Sequence, residues 1–422
     1  MTLVERAGEL LHTFKGDAYI YGAGVLPRIG ERVAAVGARA ALVRDPFPGS
    51  AEPLDVIRRS LAAAGVTTCV EVDGARPNAP REDLARITEA LRAAGPDVVV
   101  SFGGGSTIDA AKAAMMLVTL GGRIDDYFGT ALVTAALEAR SAALPPHVAV
   151  QTAASSASHL SKYANITDVA RAQKKLVVDE AVTPAWPVFD HTVTYTAPPA
   201  LTADGALDGI ASCLEVLLGA VGRPHYDAMC ELAPVGVGLV LEHLPVALAS
   251  PRDAAAREAL ALATDLGGYA IMLGGTSGPH LNSFSLVNVM SHGRACALLG
   301  PYYTVFYAPA CEEPLRLLGD VYRRAGLLSD ALDQLHGREL GVAVARAMIA
   351  FLDRAGLPTR LRDVPGVTPD LLERTLAAAK DPQLRMKLEN MPVPLTADLV
   401  DAYMGPVLRA AYAGDLELVR NL

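Results

Sequence analysis

The chain has few cysteines, no cluster of basic residues and no long unbroken apolar run. Its five cysteines, Cys69, Cys213, Cys230, Cys296 and Cys311, form no C-x-x-C pair and are odd in number. That argues against a disulfide framework and for reduced, mostly buried thiols in a cytoplasmic protein. Net charge is -9, whereas a nucleic-acid partner would want a basic face and an anionic membrane a Lys/Arg patch. The N-terminal stretch MTLVERAGELLHTFKGD carries charges throughout and has no apolar h-region, so it does not read as a signal peptide. The most apolar stretch, Ala233 to Ala249, is broken by Glu242, His243 and Pro245, and is expected to be too short and too polar to span a bilayer. Repeats and low-complexity segments are also missing.

What is there is a chain of 422 residues, 51% hydrophobic and 20% charged. This suits a soluble enzyme of two domains, long enough to bury roughly three quarters of its unfolded surface. The first half alternates β-branched runs with Ala-rich helical runs. Strands are expected at Asp17 to Tyr21, Ala40 to Val43, Thr67 to Val72, Asp97 to Phe102 and Val148 to Gln151. Helices are expected at Gly30 to Val36, Pro53 to Ala64, Pro80 to Ala94 and Ile108 to Leu117. Such alternation predicts an α/β domain with a parallel sheet covered by helices, joined by right-handed crossovers. Its ligands belong beyond the C-terminal strand ends. From Pro198 onward apolar residues recur at helical spacing, as in Ile210, Leu214, Leu217 and Leu218. The expected organisation is an α/β dinucleotide-binding domain over residues 1–197 and an all-α domain over 198–422, with the Pro- and Thr-rich stretch Pro184 to Pro199 as the boundary.

The sharpest local motif is SFGGGSTIDAAK, Ser101 to Lys112, directly after the buried strand. Gly103, Gly104 and Gly105 remove every Cβ from a bend that must approach a ligand closely. The helix that follows offers free N–H groups and a partial positive charge, which favour a diphosphate. Ser106 can cap that helix and hydrogen-bond the ligand, Lys112 sits one turn behind, and Asp109 is placed to orient a ribose or diol. The motif is neither G-x-G-x-x-G nor a Walker A sequence. Asp45, ending the second strand, is placed to accept from an adenosine 2′-hydroxyl and to repel a 2′-phosphate, favouring NAD over NADP.

GGGS-x-x-D-x-A-K after a Val-rich strand, with helices to follow, resembles the iron-containing alcohol dehydrogenase superfamily, whose fold glycerol dehydrogenases and dehydroquinate synthases share. The resemblance runs along essentially the whole chain. Pro77-Asn78 resembles the family's Asn-Pro segment near the cofactor. Gln151 to His159, QTAASSASH, stands where the family has a Gly-rich loop on the nicotinamide side; Thr152, Ser156 and Ser158 keep its hydroxyls, while its glycines and Glu are gone. Asp208 to Glu215, DGIASCLE, resembles the family's metal helix, and Ser291-His292-Gly293 its His-Gly motif, with His280 upstream. Ser212 stands where the alcohol dehydrogenases often have a metal His. The resemblance therefore implies the three-ligand arrangement of the glycerol dehydrogenase branch: Asp208, His280 and His292.

One carboxylate and two imidazoles suit Fe²⁺ or Zn²⁺ better than Ca²⁺ or Mg²⁺, and three protein ligands leave positions open for substrate. The expected activity is NAD(P)-dependent interconversion of an alcohol with an aldehyde or ketone by a homodimer, the ion polarising the substrate oxygen. The substrate pocket is expected in the cleft between domains, with Asn282, Ser283, Ser285 and Asn288 as polar candidates on a helix leading to His292. His159, and one of Lys162, Lys174 and Lys175, are weaker candidates for cofactor contact. Three alternatives share the fold. In a metal-independent reductase, His280 or His292 would act as general acid. A dehydroquinate-synthase-like lyase would want a cationic cluster for a substrate phosphate, and only Arg294 lies near the histidines. A non-catalytic relative would bind dinucleotide alone.

Overall fold

The computed structural model describes residues 1–155, 157–168 and 173–422. The chain divides into two compact units. One comprises Leu11–Pro198 with Pro251–Ala261, the other Met1–Leu10 with Pro199–Ser250 and Leu262–Leu422.

The strands are β1 (Ile20–Tyr21), β2 (Arg39–Arg44), β3 (Thr67–Asp73), β4 (Val98–Gly103), β5 (Gly129–Thr130), β6 (His147–Gln151), β7 (Tyr163–Asp168), β8 (Gln173–Val178) and β9 (Trp186–Phe189). Six of them form a parallel sheet in the order β1-β9-β6-β4-β2-β3. The helices of the first half are α1 (Leu3–Lys15), α2 (Ile29–Ala34), α3 (Ala51–Ala63), α4 (Arg81–Ala94), α5 (Gly105–Leu120) and α6 (Leu132–Arg140).

Alternation along the strands builds two cores, one on each face. Ala40, Leu42, Val98, Val100 and Phe102 pack with Ile57 and Leu61 of α3. Ala41, Val43 and Val99 pack with Leu84, Ile87 and Leu91 of α4 and with α5. All six residues of β4 are buried, as expected for a central parallel strand covered on both sides. In α4 the apolar stripe Leu84, Ile87, Leu91 faces inward. The helix ends at Gly95, whose left-handed backbone (φ +55°) lets its N–H reach the Leu91 carbonyl. The stretch Pro184 to Pro199 is more than a boundary, because its β9 pairs with both β1 and β6. A second, small sheet has the order β5-β8-β7, with β7 and β8 antiparallel.

The chain runs β2, β3, then back to β4 on the other side of β2. The C-terminal ends of β2 and β4 therefore flank a point where strand order reverses, the place where open α/β sheets bind ligands.

The second half holds α7 (Pro199–Gly219), α8 (Tyr226–Ala249), α9 (Ala254–Leu273), α10 (Gly278–Ser283), α11 (His292–Tyr307), α12 (Glu312–Arg324), α13 (Gly337–Arg354), α14 (Pro369–Ala379), α15 (Arg385–Glu389) and α16 (Gly405–Ala413). Residues Ala203 and Gly205 to Leu218 of α7 are all buried. A helix apolar on all sides belongs at the centre of its unit, and α8 and α11 pack on α7 while α13 packs on α11. Helix α8 begins at Tyr226 and runs through Pro234 and Pro245. By length and composition it is the one described helix able to cross a membrane, and most of its apolar window is buried among its neighbours. The expected long helix from His280 toward His292 is instead the short α10, followed by turns up to the Ser291 cap of α11.

Candidate active site

At the glycine bend, the Cβ of any residue replacing Gly103 would fall 2.5 Å from Asp45 Oδ2 and 2.7 Å from Thr107 Cβ. A glycine is required there by the protein's own packing. Gly104 differs: its φ of -73° and ψ of 179° suit any residue, and an added Cβ would meet nothing within 4 Å. Asp45 accepts from the Gly104 N–H at 3.0 Å and from the Thr107 hydroxyl. Burial raises its pKa, and these two hydrogen bonds hold it back. The carboxylate thus braces the bend, and each oxygen keeps a second lone pair. Ser106 Oγ accepts from the Asn78 N–H at 3.0 Å, and the Thr152 N–H donates to the Gly103 carbonyl at 3.1 Å. Asn78, Gly103, Gly104, Gly105, Ser106, Thr152 and Asp45 therefore lie together around the first turn of α5, whose leading N–H groups have no intrahelical acceptor.

Asp109 and Ser158 meet each other one turn further along. One Asp109 oxygen accepts from the Ser158 hydroxyl and the other from the Asn165 backbone and side-chain N–H groups, both at 3.0 Å. Lys112, fully buried, donates to the carbonyls of Ser158 at 2.7 Å and of Ser161 and Tyr163 at 2.8 Å. Burial lowers its pKa to about 8 against the pull of Asp109. These two residues shape the segment beside the bend. Ser156 lies outside the described residues. His159 is packed between the rings of Tyr19 and Phe189, at 5.7 and 5.6 Å, and burial holds it neutral. Lys162 pairs with Glu180 at 3.0 Å and Lys175 faces Asp125 at 3.8 Å; Lys174 is buried.

In the helical unit, Asp208 of α7, His280 of α10 and His292 at the start of α11 converge. His280 Nε2 lies 3.5 Å and His292 Nε2 3.7 Å from the same oxygen, Asp208 Oδ1. The two rings are 4.8 Å apart. Their far nitrogens are tethered. Glu215 accepts from His280 Nδ1 at 2.5 Å, while its other oxygen accepts from the Ser277 N–H at 2.7 Å. The Ser283 hydroxyl donates to the His280 carbonyl at 2.7 Å, so it accepts from His292 Nδ1 at 2.7 Å. With both Nδ1 atoms donating, both Nε2 atoms turn lone pairs toward a carboxylate oxygen. Three electron-pair donors then face one another around one carboxylate oxygen. Both separations exceed by a few tenths of an ångström the edge, about 3.3–3.4 Å, of a tetrahedron built on metal–nitrogen bonds of about 2.0–2.1 Å, so a small inward shift of the side chains would seat an ion. The residues present fit a divalent ion.

Without an ion, a proton takes its place. Burial opposes charge on His280, but Cys296, Glu215 and a hydrogen bond to Asp208 outweigh it, and the pKa rises well above 6.5. Burial also pushes the Cys296 thiol up, against the pull of His280.

The close approach of α11 to α7 depends on Gly293, where a Cβ would sit 2.0 Å from the Asp204 carbonyl oxygen and 2.9 Å from Asp208 Cβ. Arg294 clamps the same junction through Asp204 Oδ1 at 2.7 Å. The Phe284 ring stacks on His292 at 5.6 Å. Lys387, itself buried, lies 5.2 Å from the other ring partner, Phe284, and donates to Thr276 Oγ1 at 2.5 Å. Burial lowers Lys387 to about 8, although Glu215, Cys296 and Asp208 favour its charge.

Of the polar candidates after His280, Asn282 and Ser283 are fully buried. Asn282 accepts from the Tyr303 hydroxyl at 2.5 Å and is used in the core. Two residues around the cluster were not singled out in the sequence: Glu215, the tether of His280, and Cys296, whose Sγ lies within 4.8 Å of the Asp208, His280 and His292 donor atoms. The signal for Cys296 was its position four residues after His292, which places both on one helix face.

A sequence profile described as iron-containing alcohol dehydrogenase matches residues 17–191. A second, described as the C-terminal part of the Fe-containing alcohol dehydrogenase family, matches residues 202–403. The NAD-dependent methanol dehydrogenase of Bacillus methanolicus is 29% identical over 341 residues, covering 80% of this chain and 84% of its own. Alcohol dehydrogenase 4 of Saccharomyces cerevisiae (strain YJM789) is 30% identical over 285 residues, covering 67% and 72%. Among solved structures, an alcohol dehydrogenase from Oenococcus oeni superposes with a TM-score of 0.79 at 25% identity, covering 93% of this chain and 98% of that one.

Proposed function

Because the chain belongs to the iron-containing alcohol dehydrogenase family, we propose that it interconverts an alcohol and an aldehyde or ketone with NAD(H), holding a divalent ion on Asp208, His280 and His292. When bound, the ion supplies Lewis acidity toward the substrate oxygen, and the dinucleotide gives or takes the hydride.

The chain's own residues bind and orient. Glu215 and Ser283 each hold an imidazole by Nδ1, which fixes the tautomer and aims Nε2. The bend at Gly103 to Gly105, braced by Asp45, receives the diphosphate, and the second lone pairs of Asp45 favour NAD over NADP. Fe²⁺ and Zn²⁺ both suit the donor set.

The observation that carries this reading is the pair of tethered imidazoles facing one carboxylate oxygen at 3.5 and 3.7 Å. Its test is Asp208→Asn. The variant should lose metal and the aldehyde-dependent oxidation of NADH across a panel of aldehydes, yet bind NADH as the parent does by fluorescence titration. Turnover within a few-fold of the parent would overturn the assignment.

A further inference from the structure

Ser212, on the next turn of α7, lies against α9, where an added Cβ on Gly267 would be 3.4 Å from Ser212 Cβ. A thiol joins the cluster from a different helix. Cys296 stands four residues after His292 on α11, so the two side chains share a face. Its Sγ and the donor atoms of Asp208, His280 and His292 all lie within 4.8 Å of one another. We propose that Cys296, as a thiolate, is the fourth protein ligand to the divalent ion. The inference rests on the metal-site reading above and adds to it.

Charge supports it. A divalent ion and the buried Lys387 bring three positive charges, and Asp208 and Glu215 bring two negative ones. A thiolate closes the balance in a site where unpaired charge is strongly disfavoured. Cys296 also borders a cavity lined by Leu214, Glu215, Ala297, Tyr303, Met348 and Phe351. Among the described residues no Lys, Arg or His lines that space, so it offers a thiolate no counter-charge. Ion uptake expels the Sγ proton to solvent, and no electron moves. A thiolate among nitrogen and oxygen donors would shift preference toward zinc-like ions.

The test is to load the metal-free, full-length protein with Co²⁺ and record its absorption spectrum. The parent should show a near-ultraviolet thiolate-to-cobalt charge-transfer band, which both Cys296→Ser and Cys296→Ala lack. Chelator competition should show Zn²⁺ bound at least about ten-fold more weakly by Cys296→Ala. Matching near-ultraviolet circular dichroism of the metal-free parent and variants shows that the fold is kept. Cobalt bound with the same spectrum in parent and Cys296→Ala would overturn the thiolate ligand while leaving the site standing. Cobalt bound neither by the parent nor by Asp208→Asn would overturn both readings.

Discussion

Gly104→Ala separates what the fold needs from what a ligand needs. The backbone at Gly104 is ordinary for an L-residue, and the added methyl meets no protein atom within 4 Å. The substitution should therefore stabilise the protein by about 0.4–1 kcal/mol, because alanine narrows the unfolded ensemble. For a domain of this size that is a rise in melting temperature of roughly 1–4 °C. The same methyl stands where a diphosphate must approach the first N–H groups of α5. Losing one such hydrogen bond, with the phosphate pushed off its partner, costs about 1–3 kcal/mol, or roughly five- to 150-fold in NADH affinity. Fluorescence titration with NADH and thermal melting of the same sample read both effects. Gly103→Ala is the internal contrast: its methyl would sit 2.5 Å from Asp45 Oδ2, so it should lower melting temperature as well as affinity. A Gly104→Ala protein that melts higher and still binds NADH within two-fold of the parent would refute the placement of the diphosphate.

Gly293→Ala should force α11 away from α7, lower stability by about 1–3 kcal/mol through overpacking and weaken metal binding; unaltered metal content in the purified variant would contradict that account. Glu215→Gln keeps the shape of the tether but turns an amide toward the Ser277 N–H, so Zn²⁺ affinity should fall by about ten- to 100-fold, as read by chelator competition. For pH, the sign follows from His280. Its folded pKa lies above 6.5 in the metal-free protein, so the stability gained from that proton is complete below the unfolded value and is lost as pH rises through the folded one. Melting of the metal-free protein should fall from neutral toward alkaline pH, and His280→Gln should flatten that slope. Metal affinity should rise over the same range, since the ion displaces the proton.

Much of the fold is legible in local sequence. The Val-rich β4, the triple glycine and the amphipathic α4 each carry their period or turn chemistry within a dozen residues. Strand β9 is not, because WPVF is four residues long among prolines and threonines, and its place is fixed by β1 and β6, far away in the chain. The turn after Ser283 is equally hidden: Asn282 and Ser283 read as a polar helix face, yet they are consumed by Tyr303 and His292. Asp45 could be placed at a strand end, but its hold on Gly104 depends on room left by Gly103 and Gly74, which only the packed sheet reveals. Asp208, His280 and His292 could be read from a family pattern. Glu215 and Cys296 gain meaning only once α7, α10 and α11 are brought together.

The grip of Lys112 carries a consequence for variation. One ammonium reads three main-chain carbonyls, at Ser158, Ser161 and Tyr163, and peptide oxygens are the same whatever side chain follows them. The path beside the glycine bend is thus pinned like a rope to a cleat through its backbone, while Ser158, His159, Leu160 and Ser161 are themselves buried. Replacing the cleat would release the whole strand of rope at once.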